Sequence, residues 1–273
     1  MTNVLFKAEK DIPKLRQFAD RLIVLVNTIL QKSIQYNEED HLAFMSLCFV
    51  SKQVEHLKTI CILVDAGQHK DAGLIARSMI EGMFLLLWAA HDPLKRPLLW
   101  RTYALVEDFR LMREKERAGE EIEPSHKLKI MEQLNIYGEQ FLTNKAKEAM
   151  RKNLPVPEDP YCKNWSGKQI WEICEEVKGH LLYEQIYKDT SQWIHWTPRG
   201  LGTSIRRDNR IVHYMDESKD VAATALASGF QSLLQLTELI DSHLALGFTG
   251  RLTELRNLYI KELSKTNSDN SPK

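Results

Sequence analysis

The amino-acid sequence predicts an all-α protein, a single helical bundle of about eight to nine helices. Apolar residues recur at every third or fourth position through most of the 273 residues. Hydrophobic residues make up 43% of the chain, which is enough for a sizeable core. Strand-like alternation is confined to residues 203–214, around the turn pair Asp208-Asn209, and this pattern predicts a short β-hairpin.

The helices are predicted in a simple order along the chain. The first two, at residues 11–34 and 39–66, each carry one apolar stripe and form an antiparallel pair, with Asp11 as the cap of the first. The third, at residues 70–90, is apolar nearly all round, which is typical of a helix in the centre of a bundle. Later helices are predicted at residues 94–118, 124–150, 166–177, 182–196, 218–246 and 252–263.

One segment interrupts the helical pattern. Three prolines make residues 153–166 an extended linker. We expect the linker to lie inside a single domain of residues 1–264, because the part that follows it is too short and too aromatic to bury itself alone. Residues 265–273 lack the apolar side chains needed for docking and predict a disordered tail.

Charge and cysteine content narrow the class of protein. Basic and acidic residues number 37 each, so no overall field attracts nucleic acid or an anionic membrane. The four cysteines show no C-x-x-C spacing, which favours a reduced, cytoplasmic setting. No signal peptide is expected. The densest apolar run, residues 79–90, falls short of the roughly 20 residues of a membrane span and predicts a buried core helix.

The common catalytic motifs are missing from the sequence. It contains no P-loop, G-x-G-x-x-G, G-x-S-x-G or H-E-x-x-H motif and no paired C-x-x-C. No arrangement of histidines and carboxylates has the spacing of a metal site. We therefore expect neither a metal nor a cofactor.

Two pairs of polar residues at helical spacing form the main candidate site. Arg77 and Glu81 lie four residues apart in the central helix, and Ser191 and His195 repeat that spacing in a later helix. Because a buried charge without a partner is costly, we expect the two pairs to meet. Arg77 would keep one side of its guanidinium free to hold a phosphate or carboxylate, and Glu81 would orient Arg77 or His195.

In that arrangement His195 serves as general acid or base, and Ser191 orients it or acts as nucleophile. The alternative is a structural network in which all four residues satisfy one another and fix two helices in register. Tyr187, Trp193 and Trp196 lie nearby in the sequence. They are candidates for ligand binding, with the tryptophans stacking on a base or other planar group, or serving as core anchors.

A second candidate is formed by Arg207 and His213. Their spacing resembles the Arg-polar-x4-His motif of small helical ribonucleases of toxin–antitoxin and defence systems. The resemblance implies RNA cleavage without metal by an Arg and a His that share one helix, after dimerisation. The strand-like pattern favours instead a basic hairpin that contacts a partner or an RNA backbone.

Three short motifs in a fixed order resemble a known family. They are Ala76-Arg77-Ser78-Met79-Ile80-Glu81-Gly82, then Asn164-Trp165-Ser166-Gly167, then Tyr187 with Ser191-Gln192-Trp193-Ile194-His195. Over about residues 40–246 they resemble the prokaryotic helical family catalogued as domain of unknown function five-six-seven-seven. The resemblance implies an all-α fold and a common site at Arg77, Glu81, Ser191 and His195, without an established activity. Small residues commonly follow this His in the family, so Trp196 implies a narrower pocket here.

The leading hypothesis is a cytoplasmic prokaryotic protein with a polar pocket for a phosphate-bearing ligand, either a small molecule or an RNA end, in stress or phage defence. One alternative is a non-enzymatic interaction or scaffold module that binds a protein partner or a second copy of itself. Another is a metal-independent ribonuclease that uses Arg207 and His213. No membrane association is expected.

Overall fold

The computed structural model describes residues 8–188, 190–191, 205–208, 211–214 and 218–268. Helices dominate these residues and confirm the all-α class. They are α1 (Ala8–Leu30), α2 (His41–Asp65), α3 (His69–Ala90), α4 (Arg96–Arg117), α5 (Pro124–Tyr137), α6 (Asn144–Arg151), α7 (Ile170–Glu176), α8 (His180–Leu182), α9 (Lys219–Leu244) and α10 (Thr249–Ser268). A π-helical turn, Tyr183–Tyr187, continues α8 and is called the π segment below.

The predicted hairpin is present between α8 and α9 in the chain. Its strands are β1 (Ile205–Asp208) and β2 (Ile211–Tyr214), which pair antiparallel. The register places Ile205 opposite Tyr214 and Asp208 opposite Ile211. The strand-like alternation of this segment therefore predicts its structure correctly.

Two compact units make up the chain. One comprises Met1–Trp88 and Ile170–Lys273, and the other comprises Ala89–Gln169. The first unit holds most of α3, the π segment and the helices at both ends of the chain, whereas the second holds α4, α5 and α6. The single-domain organisation expected from the sequence stays a prediction.

Helix α9 is the centre of the first unit. It packs along both α1 and α2, and α10 packs against α1 and α9. Gly229 allows α9 to come close to its neighbours, since a Cβ atom there would lie 3.1 Å from Leu57 Cδ1 and 3.3 Å from Met79 Sδ. Phe230 of α9 stacks on Tyr259 of α10, with ring centroids 4.3 Å apart.

Helix α3 is built into the same core, as its all-round apolar pattern predicts. By length and composition it is the one helix in the described ranges that could cross a membrane. Its side chains Met79, Ile80 and Phe84 are at most 1% exposed, which fits a core helix. Gln53 of α2 donates from Nε2 to the Met79 carbonyl oxygen at 2.8 Å. Gly82 leaves room for this contact, because a Cβ atom there would lie 2.8 Å from Gln53 Nε2.

The second unit has its own apolar core between α4 and α5, centred on Val106 and Leu134. The proline-containing segment 153–166 is bonded to α4 through Arg110, which donates to Asp159 Oδ2 and to the Cys162 carbonyl oxygen, both at 2.9 Å. The Tyr103 hydroxyl donates to the same carbonyl oxygen at 2.8 Å. The segment contains no helix, as its prolines predict, and these bonds tie it to α4.

Several helix boundaries differ from the sequence pattern. The helix predicted at residues 124–150 is interrupted after Tyr137 by a 3₁₀ turn, Glu139–Phe141, which places Phe141 in the core of the second unit. Helix α1 begins at Ala8, so Asp11 is buried within the helix and does not cap it. Helix α10 continues to Ser268, beyond residue 265, where the tail is predicted to begin.

Gly179 sets the distance between α3 and the turn that joins α7 to α8. A Cβ atom at Gly179 would lie 2.4 Å from Phe84 Cε1, and the Phe84 side chain is 1% exposed and has little room to move. We expect Gly179→Ala to lower the free energy of unfolding by about 1–3 kcal/mol, the usual cost of overpacking a core. Denaturant unfolding of the purified variant measures it.

Gly250→Ala is the matched control for this substitution. Gly250 lies in α10, and a Cβ atom there meets nothing within 4 Å. Alanine at an open helical position is expected to raise the free energy of unfolding by about 0.4–1 kcal/mol. Equal free energies of unfolding for the two variants would show that the close approach of Gly179 to Phe84 does not contribute to stability.

Candidate functional site

Arg77 and Glu81 lie one turn apart on α3, on a face that the core does not bury completely. Their side chains are 20% and 39% exposed, respectively. The closest atoms of the pair, Arg77 Nη1 and Glu81 Oε2, are 3.7 Å apart. The two residues thus form a long ion pair at the edge of an otherwise apolar helix, where solvent reaches both charges.

The segment that faces them is fixed to α3 at two points. Trp88 Nε1 of α3 donates to Glu176 Oε2 of α7 at 2.7 Å. The backbone at Gly179 rests against the Phe84 ring, as described above. These contacts bring α8 and the π segment alongside α3, so that Tyr187 lies next to Arg77.

Tyr187 bridges the two charged residues. Its hydroxyl accepts a hydrogen bond from Arg77 Nη2 at 2.8 Å and donates one to Glu81 Oε2 at 2.9 Å. The Arg77 Cζ atom lies 4.4 Å from the centroid of the Tyr187 ring, which adds a cation–π contact. The phenol therefore mediates between a cation and an anion that do not meet at hydrogen-bonding distance.

Ser191 completes the group one turn later. Its Oγ accepts a hydrogen bond from Arg77 Nε at 2.8 Å and donates to the Tyr187 carbonyl oxygen at 2.6 Å. The structure thus brings together Arg77, Glu81 and Ser191, three residues that the sequence selects. It also shows that Nε and Nη2 of the guanidinium are engaged by hydroxyl groups, whereas one side of the guanidinium is predicted to be free.

Burial raises the pKa of the Tyr187 hydroxyl well above its ordinary value, and the negative charge of Glu81 raises it further. The nearby positive charge of Arg77 acts in the opposite direction but does not outweigh these effects. Tyr187 is therefore a neutral donor at physiological pH. The four residues together carry one positive and one negative formal charge.

His195, Trp193 and Trp196 lie outside the described residues. Their predicted parts in the site stay predictions. Ser191 is the last described residue before them, and its hydroxyl proton is directed to the Tyr187 carbonyl oxygen.

The second candidate pair lies on the hairpin. The register places Arg207 opposite Val212 and His213 opposite Arg206. Because successive positions of a strand alternate between its two faces, positions 207 and 213 belong to opposite faces of the hairpin. The single-helix arrangement of the ribonuclease motif is therefore not the backbone arrangement found here.

Tyr183 belongs to the site and is not selected by the sequence analysis. Its ring stacks on Tyr187 with centroids 5.3 Å apart and an interplanar angle of 18°. Lys188 Nζ lies 5.5 Å from the centroid of the Tyr183 ring. Its signal in the sequence is the spacing of four residues, which places Tyr183 one step before the Tyr187, Ser191 and His195 of the third motif.

Within the described ranges, no group of three or more His, Cys, Asp or Glu side chains is arranged to hold a metal ion. The chemistry that the described atoms support is hydrogen bonding and charge recognition by Arg77 and Glu81.

A double-mutant cycle tests the contact between α3 and Ser191. We expect Arg77→Ala and Ser191→Ala to show a coupling energy of about 1.5–3 kcal/mol in the free energy of unfolding, the usual strength of a hydrogen bond to a charged group. The control cycle pairs Arg77→Ala with Thr190→Val. Thr190 Oγ1 donates to the Ile186 carbonyl oxygen, so its coupling to Arg77 is expected below about 0.5 kcal/mol. Equal coupling in both cycles would contradict the contact.

Comparison with known proteins gives one match. Residues 43–212, more than half of the chain, match the model of a family of unknown function, DUF5677. The matched range contains Arg77, Glu81, Tyr187 and Ser191, and it confirms the resemblance based on the three sequence motifs. No curated protein and no solved structure matches the chain. The chain belongs to the family of unknown function DUF5677.

Proposed function

We propose that Arg77, Glu81, Tyr187 and Ser191 form a binding site for a phosphate-bearing ligand, either a small molecule or the phosphorylated end of an RNA. The observation that carries the proposal is the bonding of Arg77: its Nε and Nη2 groups donate to two neutral hydroxyl oxygens at 2.8 Å each. We propose that the protein functions in the cytoplasm of a prokaryotic cell.

The charge of Arg77 supports an anionic ligand. The nearest carboxylate oxygen, Glu81 Oε2, is 3.7 Å from Nη1 and is also hydrogen-bonded to Tyr187. Among the described residues, the guanidinium thus pairs with a carboxylate only at long range, while neutral groups occupy its Nε–Nη2 edge. Two oxygens of a phosphate can accept hydrogen bonds from the two N–H groups of this planar edge at once, and such charged hydrogen bonds are about twice as strong as those between neutral groups.

The partial exposure of the pair supports access from solvent. Glu81 keeps a 39% exposed side chain beside the cation. A ligand that presents a phosphate to Arg77 and a hydroxyl donor to Glu81 would satisfy both charges. A ribose phosphate has both groups, which is why an RNA end is included with phosphorylated small molecules in the proposed ligand class.

Binding of inorganic phosphate tests the role of Arg77. We expect Arg77→Ala to weaken binding at least about tenfold, because one charge-assisted hydrogen bond contributes about 1.5–3 kcal/mol. Arg77→Lys keeps the charge but loses the two-donor edge, so its affinity is expected between those of the parent and the alanine variant. Isothermal titration measures all three, and circular dichroism checks that each is folded.

Arg110→Ala is the matched control. Arg110 also donates to a tyrosine hydroxyl, that of Tyr103, but belongs to the other compact unit. Its phosphate affinity is expected to equal that of the parent.

A second pair of titrations distinguishes an RNA end from a small ligand. It uses one oligoribonucleotide, with and without a 5′-phosphate. Unchanged phosphate affinity in folded Arg77→Ala would exclude the proposed site.

His195 is proposed to carry a proton at this site, since it follows Ser191 by four residues in the sequence, the spacing that would place both on one face of a helix. A histidine gains positive charge as the pH falls through its ordinary pKa, near 6.5, and then attracts an anion more strongly. We expect sulfate, whose charge is constant in this range, to bind more tightly at pH 6 than at pH 8, and His195→Ala to abolish the difference.

His180→Ala is the control for this profile, because His180 is exposed and pairs with Glu175 at 2.7 Å. It is expected to keep the pH dependence of the parent. A pH dependence that persists in His195→Ala would remove His195 from the site.

A second candidate function is a non-enzymatic interaction module in which the same residues are structural. One observation favours it: the Ser191 hydroxyl donates its proton to a backbone oxygen and accepts from Arg77, so neither its proton nor that lone pair is available to a substrate. The phosphate titration separates the two functions, since a structural network predicts no phosphate binding by the parent protein.

A further inference from the structure

We infer that a phosphate at Arg77 and the helical residues Tyr187 and Ser191 compete for the same donors, so that ligand binding weakens the attachment of this stretch of helix to α3. The inference rests on the proposed function and concerns its regulation. It makes the site a switch, in which phosphate binding at Arg77 changes how firmly the π segment and Ser191 are held.

The competition follows from which edge of the guanidinium is engaged. A guanidinium binds a phosphate best through two parallel N–H groups of one edge. The Nε–Nη2 edge of Arg77 is held by Ser191 Oγ and the Tyr187 hydroxyl, each at 2.8 Å. On the other side, Nη1 lies 3.7 Å from Glu81 Oε2, where an incoming anion would meet a like charge. The favourable edge for phosphate is therefore the one that the two hydroxyl groups occupy.

Displacement leaves neither hydroxyl without a partner. After the loss of Arg77, the Ser191 hydroxyl still donates to the Tyr187 carbonyl oxygen, and the Tyr187 hydroxyl still donates to Glu81. The guanidinium exchanges two bonds to neutral oxygens for two bonds to anionic oxygens, in which both partners are charged. Since neither hydroxyl group is left without an acceptor for its proton, the exchange avoids the main cost of breaking a hydrogen bond in a protein, which is a buried polar group without a partner.

The π segment is suited to such a change. Its hydrogen bonds run from residue i to i+5, as in the bond from the Lys188 N–H to the Tyr183 carbonyl oxygen, and π turns of this kind often occur at functional sites. By linkage, if phosphate weakens the hold of Arg77 on this helix, then weakening that hold must strengthen phosphate binding by the same factor.

Ser191→Ala provides the sharpest test. It removes one competing acceptor and leaves Arg77 unchanged, so the affinity for inorganic phosphate is expected to rise at least about tenfold, the factor that corresponds to the lower limit for one hydrogen bond to a charged group. Thr190→Val is the matched control, because it removes a hydroxyl from the adjacent residue that bonds to the Ile186 carbonyl oxygen instead of Arg77. Its phosphate affinity is expected to equal that of the parent.

Hydrogen exchange of the parent protein tests the same inference without any substitution. Saturating inorganic phosphate is expected to increase amide exchange in the peptide that covers residues 183–191. In Arg77→Ala, exchange in that peptide is expected to be high already and to be unaffected by phosphate.

Three outcomes distinguish this inference from the proposed function. Tighter binding by Ser191→Ala, together with increased exchange, supports the competition. Weaker or equal binding by Ser191→Ala, or decreased exchange on phosphate binding, overturns it but leaves phosphate binding at Arg77 intact. Failure of the parent protein to bind phosphate overturns both.

Discussion

The arrangement of the site depends on how one cation at the edge of a core helix is satisfied. Arg77 belongs to α3, whose inward side chains are fully buried, and its own side chain is only 20% exposed. A guanidinium in that position needs hydrogen-bond acceptors, and α3 supplies only a distant carboxylate. The remaining acceptors come from Tyr187 and Ser191, more than a hundred residues later in the chain. The segment that carries them is therefore held by electrostatics as well as by packing.

The packing that makes this possible relies on close contact between backbone and side chains. At Gly179 the backbone touches the Phe84 ring, and at Gly82 the absence of a side chain lets Gln53 reach a carbonyl oxygen of α3. Each contact fixes α3 against a different neighbour. Because protein interiors are tightly packed, a shift of the segment that contains Gly179 would move the hydroxyl groups that follow it relative to Arg77.

The helical periodicity of the sequence predicts the class of fold, the central place of α3 and the hairpin, because these features depend on local patterns. Spacing also predicts that Arg77 and Glu81 share a face. It selects Tyr187 as a candidate for ligand binding but could not predict that the Tyr187 hydroxyl bridges Arg77 and Glu81, since that bridge depends on tertiary contacts such as that of Gly179 with Phe84. The break after Tyr137 is missed for a similar reason: burial of Phe141 in the second core outweighs the local preference for a continuous helix.

The π segment has a geometric consequence for the spacing of the tyrosines. On a regular α-helix, residues four apart do not stay in phase, because each such step overshoots a full turn by about 40°. A wider turn absorbs part of that drift, which keeps Tyr183 and Tyr187 stacked while Ser191 still faces Arg77. Loss of a single residue here would rotate every later helical position by about 100°. The length of this stretch is thus as constrained as the identity of the residues it carries.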